Sequence, residues 1–153
     1  RFVKEMPRPE PGVLPEDAST SVAGSPLSPA FLRHFEVRVA RGAPPYSGYS
    51  EPRSLIYARL RDRECGSEDA LLALADVIPT PVLSMLTEPA PASSVNWMLE
   101  VLRDPAYLDL HDWVLIDTEV RAGTAGYLSQ TSVLYGADGH AYSVSHQTVA
   151  VFG

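Results

Sequence analysis

Only one stretch of this 153-residue chain reads as a helix, and prolines stop it on one side. It runs from Glu68 to Ile78. Ser67 is the expected N-cap, Glu68 and Asp69 supply the acidic first turn, and Pro79 and Pro81 end it. The rest of the chain beyond residue 30 reads as strands. Phe31, Phe35, Val37 and Val39 alternate with His34, Glu36 and Arg38, the pattern of a half-buried strand over 31–39. A second strand is expected over 54–63, with Leu55, Tyr57 and Arg59 on one face and Ile56, Ala58 and Leu60 on the other. Four more are expected at about 94–102, 113–121, 127–135 and 142–152, with Val114, Ile116, Thr118 and Val120 sharing a face. Asp138-Gly139 is a strong hairpin signal between the last two. Two strands, one helix and then four strands specify an α+β layer arrangement, one long helix against a mainly antiparallel sheet.

Residues 1–30 differ. They hold Pro7, Pro9, Pro11, Pro15, Pro26 and Pro29, with serine, glycine and acidic residues between them. This composition predicts an arm or linker rather than a packed element. The domain proper is expected over 31–153. A linker at the start, and an Arg1 where methionine would stand, suggest a piece of something longer.

The formal net charge is −7, which disfavours non-specific contact with nucleic acid or anionic membranes. No apolar run reaches the roughly 18 residues of a membrane span, and no signal peptide is visible. Cys65 has no second cysteine to pair with, so a reducing, cytoplasmic setting is expected. In Arg63-Glu64-Cys65-Gly66 it reads as a small turn residue rather than a nucleophile. His34, His111, His140 and His146 show no metal-ligand spacing, and no G-x-S-x-G elbow or glycine-rich phosphate loop is present. Trp97 and Trp113 read as core or interface anchors. Arg59, Arg61 and Arg63 alternate along one strand, either as a solvated face or as partners for phosphate.

Three polar positions interrupt apolar surroundings. Asp76 ends the helix beside Leu72, Ala73, Val77 and Ile78, Ser93-Ser94 opens a strand, and Gln147 interrupts the β-branched closing strand. At a helix C-terminus the macrodipole disfavours a negative charge, and apolar neighbours raise a carboxyl pKa further. Such an aspartate suits a general base, and a hydroxyl and an amide brought beside it would hold a water. Alternation puts Gln147 on the face of Ser145 and Val149 and turns His146 the other way.

The element order is similar to the hotdog fold, a curved antiparallel sheet wrapped around a central helix. Leu71-Leu72-Ala73-Leu74-Ala75-Asp76 resembles the central helix of the acyl-CoA thioesterase II group. Ser94-Val95-Asn96-Trp97 resembles that group's Thr-x-Asp strand start, and Gln147-Thr148-Val149 its closing strand. The resemblance covers roughly residues 31–153 and implies the second of two hotdog repeats, with residues 1–30 as the linker between them. It implies acyl-CoA as substrate, no cofactor, no metal, and a water held by Asp76, Ser94 and Gln147, with Ser93 as the neighbouring alternative to Ser94. The sequence departs from the group's pattern by a serine at Ser94 in place of threonine and by Asn96 where a carboxylate is frequent. A non-catalytic hotdog module that binds an acyl chain or mediates assembly is the competing expectation. A hotdog dehydratase would need a helix histidine, and Glu68–Ile78 has none. A lone hotdog exposes a sheet edge, so pairing with a second hotdog is expected, either another copy or a preceding repeat.

Overall fold

The computed structural model describes residues 4–20 and 28–152. Its strands are β1 (Ser19–Thr20), β2 (Phe35–Arg41), β3 (Arg53–Leu60), β4 (Ala92–Val101), β5 (Val114–Thr124), β6 (Tyr127–Tyr135) and β7 (Ala141–Val151). Helix α1 spans Ser67–Ala75 and a short helix, α2, spans Val82–Met85. The strands form one antiparallel sheet in the order β1-β2-β3-β5-β6-β7-β4, so β4 closes one edge. The helix lies on one face of this sheet, which is the hotdog arrangement.

Helix α1 adheres through one stripe. Ala70, Leu71, Leu74 and, just past its end, Val77 are buried, while Leu72 faces out at 46% exposure. They pack on Phe35 and Val37 of β2, Ile56, Ala58 and Leu60 of β3, and Val114 and Ile116 of β5. Burying Leu71 and Leu74 contributes about 1.5–3 kcal/mol each. The opposite face of the sheet has its own apolar layer of Leu55, Tyr57, Leu115, Val133, Tyr135 and Val144. The expected division of the second strand into two faces is therefore observed, with both faces buried.

The described part of the proline-rich arm lies against that second layer. Ala18 is buried within it, and Ser19 and Thr20 pair with Val39 and Arg38. The Tyr57 hydroxyl donates to the Val13 carbonyl at 2.9 Å and the Tyr135 hydroxyl to the Pro7 carbonyl at 3.2 Å. Prolines remove backbone donors, but the carbonyls of the arm remain acceptors, and two tyrosines on the sheet donate to those of Val13 and Pro7.

Three local expectations are corrected. The strand anticipated from Phe31 begins at Phe35, after a 3-10 turn over Ala30–His34. Leu32 and Phe35 both bury into the helix-side core, and a spacing of three is the repeat of a 3-10 turn, not of a strand. Ser67 is the first helical residue rather than the cap. Gly66 occupies the N-cap position, and no side chain caps the helix there. The helix also ends at Ala75 rather than Ile78: Pro79 has no N–H to offer the Ala75 carbonyl, and in a continued helix its ring would clash with that carbonyl. The Asp138-Gly139 turn is observed: Gly139 takes φ +83°, Asp138 accepts from the His140 amide at 3.1 Å, and the β6–β7 hairpin follows.

Candidate active site

A cleft of about 550 Å³ opens beyond the C-terminal end of α1. Its apolar walls include Phe31, Leu32, Val77, Ile78, Leu83 and Val149, and its polar groups include Asp76, Ser93, Ser94 and Gln147. All four polar residues singled out from sequence thus face one space.

Each arrives by a different route. Asp76 is the C-cap of α1, with φ −107° and ψ 1°, so the chain leaves the helix at the carboxylate. Although Asp76 opens to the cleft, surrounding protein desolvates it enough to raise its carboxyl pKa above the ordinary value, and desolvation is the sole cause of the shift. The segment after it is held by α2, which the sequence pattern did not reveal. The loop after β2 docks on that short helix: the amides of Tyr46, Tyr49 and Gly48 donate to the carbonyls of Leu83, Ser84 and Leu86 at 2.7, 2.8 and 3.0 Å. These bonds satisfy carbonyls that a four-residue helix cannot satisfy internally.

Ser94 sits near the start of the edge strand β4, at a register shift. Ser94 pairs with Val149, but Asn96 already pairs with Thr148, so Val95 is the extra residue of a bulge. The Asn96 side chain stabilises this bulge by accepting from the Thr148 amide at 3.2 Å. Asn96 is not among the cleft-lining residues and is occupied by the backbone. Ser93 makes only a long 3.5 Å contact, from its hydroxyl to the Ser94 carbonyl.

Gln147 projects from the middle of β7. Its side-chain Nε2 donates to Ser94 Oγ at 2.7 Å, and its Oε1 accepts from Gln130 Nε2 at 2.8 Å. Gln130 lies directly across the β6–β7 ladder and is only 3% exposed. The sequence reading missed it, although a signal existed: counting outward from the Asp138-Gly139 turn, residue for residue, brings Gln130 opposite Gln147.

Arg59, Arg61 and Arg63, read from sequence as a solvated strand face or as partners for phosphate, do not line the cleft. Arg59 lies 4.4 Å over the Trp113 ring and pairs with Glu36 at 2.9 Å. Arg61 is 4.0 Å from Glu36, and Arg63 donates to the His111 carbonyl at 3.0 Å. Trp113 packs against the outer apolar layer and meets Tyr57 edge-on, while Trp97 on β4 is 37% exposed. Cys65 is half-buried against the helix-side core. Among the described residues no three histidine, cysteine or acidic side chains gather as a metal-binding group.

The comparison with known families decides the lineage. The profile of the acyl-CoA thioesterase C-terminal domain matches residues 7–151. The chain belongs to this family. The match reaches back into the proline-rich arm, in keeping with the docking of that arm on the sheet. Among solved structures, the thioesterase domain is similar to a hotdog-fold protein of unknown function from Alicyclobacillus acidocaldarius, at 22% identity and TM-score 0.77, covering 100% of this chain and 56% of that one. It is also similar to an acyl-CoA thioesterase II of Mycobacterium marinum, at 14% identity and TM-score 0.68, covering 100% of this chain and 58% of that one. A hypothetical thioesterase protein of Streptococcus pneumoniae, solved with coenzyme A, aligns at 11% identity and TM-score 0.59, over 77% of this chain and 87% of that one. At these identities the likeness is one of fold. The chain spans a little over half the length of the first two structures. A search of curated proteins finds no match.

Proposed function

We propose that this domain hydrolyses acyl-CoA thioesters by activating a water between Asp76, Ser94 and Gln147. The observation that carries the reading is their convergence: a partly desolvated carboxylate, a hydroxyl and an amide, from a helix end and two strands, line one largely apolar cleft. Family membership supports the substrate class. An acyl chain suits walls built by Phe31, Leu32, Ile78, Leu83 and Val149.

In this mechanism the ionised Asp76 removes a proton from the water as its oxygen attacks the thioester carbonyl carbon. The Gln147 amide donates to Ser94 Oγ, which leaves the hydroxyl hydrogen of Ser94 free to bond the water and set its line of attack. The carbonyl π pair moves to oxygen and gives a tetrahedral intermediate. Its collapse breaks the C–S bond, coenzyme A leaves as the thiolate, and the proton on Asp76 returns to sulfur. No metal, cofactor or covalent enzyme intermediate enters this scheme.

A partner completes the proposal. Among the described residues strand β4 has one unpaired edge, and Val95, Trp97, Met98 and Val101 on it are exposed at 37–58%. An open apolar edge of this length is a pairing surface. We place a second hotdog there, either another copy or a preceding repeat, and Ser94 on the same strand would then lie beside the junction. Light scattering of the isolated chain tests it, and a clean monomer would contradict it. Among the described residues no helix is long and apolar enough to cross a membrane, and the single unpaired Cys65 suits a reducing compartment.

The deciding experiment measures thiol release from acyl-CoAs of several chain lengths by wild type and by Asp76→Asn. Turnover by wild type and its loss in the variant is the expected result. Saturable acyl-CoA binding by wild type without thiol release would favour a binding module instead.

A further inference from the structure

Gln130 is a buried amide whose oxygen has no hydrogen-bond partner among the described residues. It is 3% exposed, its Nε2 donates to Gln147 Oε1 at 2.8 Å, and its own Oε1 is buried with no partner among the described residues. Leaving a buried acceptor unpaired is unfavourable, and an apolar side chain of similar length would remove that penalty. Packing alone gives no reason for an amide here.

The reason lies one residue further on. A glutamine amide can present either its oxygen or its NH2 to a given neighbour. Gln130 bonds the oxygen of Gln147, and in this arrangement the NH2 of Gln147 faces Ser94, where it donates at 2.7 Å. Ser94 Oγ is then an acceptor toward Gln147 and keeps its hydrogen for the cleft. If the Gln147 amide turned over, Ser94 would donate to it and lose that hydrogen. Gln130 does not line the cleft, and the β6–β7 register holds it directly opposite Gln147.

We infer that Gln130 is a positioning residue that sets the polarity of the Gln147–Ser94 pair and so determines which way the Ser94 hydroxyl donates. The inference rests on the hydrolase reading above, and it specifies how that site is organised.

Two substitutions in the full-length protein separate polarity from packing. Gln130→Met keeps the length and removes the donor. It is expected to lower kcat by about 10- to 100-fold with KM within about twofold, because the substrate is not touched. Gln130→Glu keeps the shape and makes the donor titratable. When protonated, the introduced carboxyl donates to Gln147 Oε1 and preserves the relay. When ionised it offers only acceptors, and the Gln147 amide turns over. The variant should therefore gain a falling limb in its kcat profile as pH rises through the introduced carboxyl, a limb that wild type and Gln130→Met lack. Wild-type kcat in both variants, or a pH-independent loss in Gln130→Glu, would overturn the inference.

A second readout does not depend on turnover. In wild type the side-chain NH2 of Gln147 should show nuclear Overhauser contacts to the Ser94 β-protons at every pH. In Gln130→Glu these contacts should disappear as the introduced carboxyl ionises. Their persistence would refute the polarity relay even if hydrolysis were observed. Their disappearance in a protein whose wild type releases no thiol would instead locate the failure in the hydrolase reading.

Discussion

The helix-facing side of the sheet divides into two unlike halves. Under α1, strands β2, β3 and β5 present Phe35, Val37, Ile56, Ala58, Val114 and Ile116. Beyond it, the same face of β6, β7 and β4 carries Gln130, Ser132, Ser143, Ser145, Gln147 and Ser94 between the apolar Leu134 at one end and Leu128 and Val149 at the other. Thr118 of β5 marks the border, its hydroxyl 2.8 Å from that of Ser132. A helix of nine residues is only about 13 Å long, whereas six strands span about 24 Å of sheet. One half is therefore covered by helix and selects shape and apolar area. The other is free to carry hydrogen bonds and a cleft. The comparison predicts that substitutions in the first half cost stability and those in the second cost activity.

The largest effect is expected at Asp76. Asp76→Asn should lower thioester hydrolysis by about 10³-fold, within the range for losing a general base, with no loss of fold by circular dichroism. Hydrolysis at the wild-type rate across several chain lengths would remove Asp76 from the mechanism. The pH dependence sharpens the test. Desolvation raises the Asp76 pKa, and the base works only when ionised, so activity should climb as pH rises through that raised value. Stability should move the opposite way. A carboxyl whose folded pKa exceeds its unfolded one stabilises the fold below the unfolded pKa, and this contribution is lost as pH rises through the folded value. Asp76→Asn should flatten this decline in chemical denaturation, and an unchanged decline would assign it to other groups.

On the covered half, Leu71→Ala should destabilise the chain by about 2–5 kcal/mol in urea melts. It sits at 1% exposure between helix and sheet, and a loss below 1 kcal/mol would mean the helix contributes little to holding the fold. On the polar half, Ser94→Ala should lower kcat by about 10- to 100-fold while shifting stability by less than about 1 kcal/mol, since Ser94 is an exposed residue near the start of an edge strand. A variant that unfolds while retaining specific activity per folded molecule would break the comparison. The smallest effect belongs to the border: Thr118→Val should cost about 1 kcal/mol, read as a small shift in melting midpoint with kcat unchanged.

Legibility follows the range of the forces involved. Alternation is a local property, so most strands and the Asp138-Gly139 turn were readable, and the two faces of β3 fall as its pattern required. The start of β2 was misread because Phe31, Phe35 and Val37 fit a period of two, while burial of Leu32 with Phe35 selects a 3-10 turn. Ser67 has good capping chemistry, yet Gly66 takes the N-cap position. The arm was read by composition, which says nothing of the tyrosines on the sheet whose hydroxyls donate to its carbonyls. Gln130 went unnoticed because an amide becomes informative only when its cross-strand neighbour is known.

Residue order by itself determined that this chain sets a central helix against an antiparallel sheet, and that Asp76, Ser94 and Gln147 are out of place among apolar neighbours. These are consequences of periodicity, proline punctuation and side-chain polarity, each expressed within a few residues. Only the tertiary structure decided that the three line one cleft, that Gln130 bonds to one of them, and that β4 is left at the sheet edge. The reason is distance along the chain: Asp76 and Gln147 stand far apart in sequence, and their meeting depends on a sheet order and a bulge that arise from pairing all the strands together.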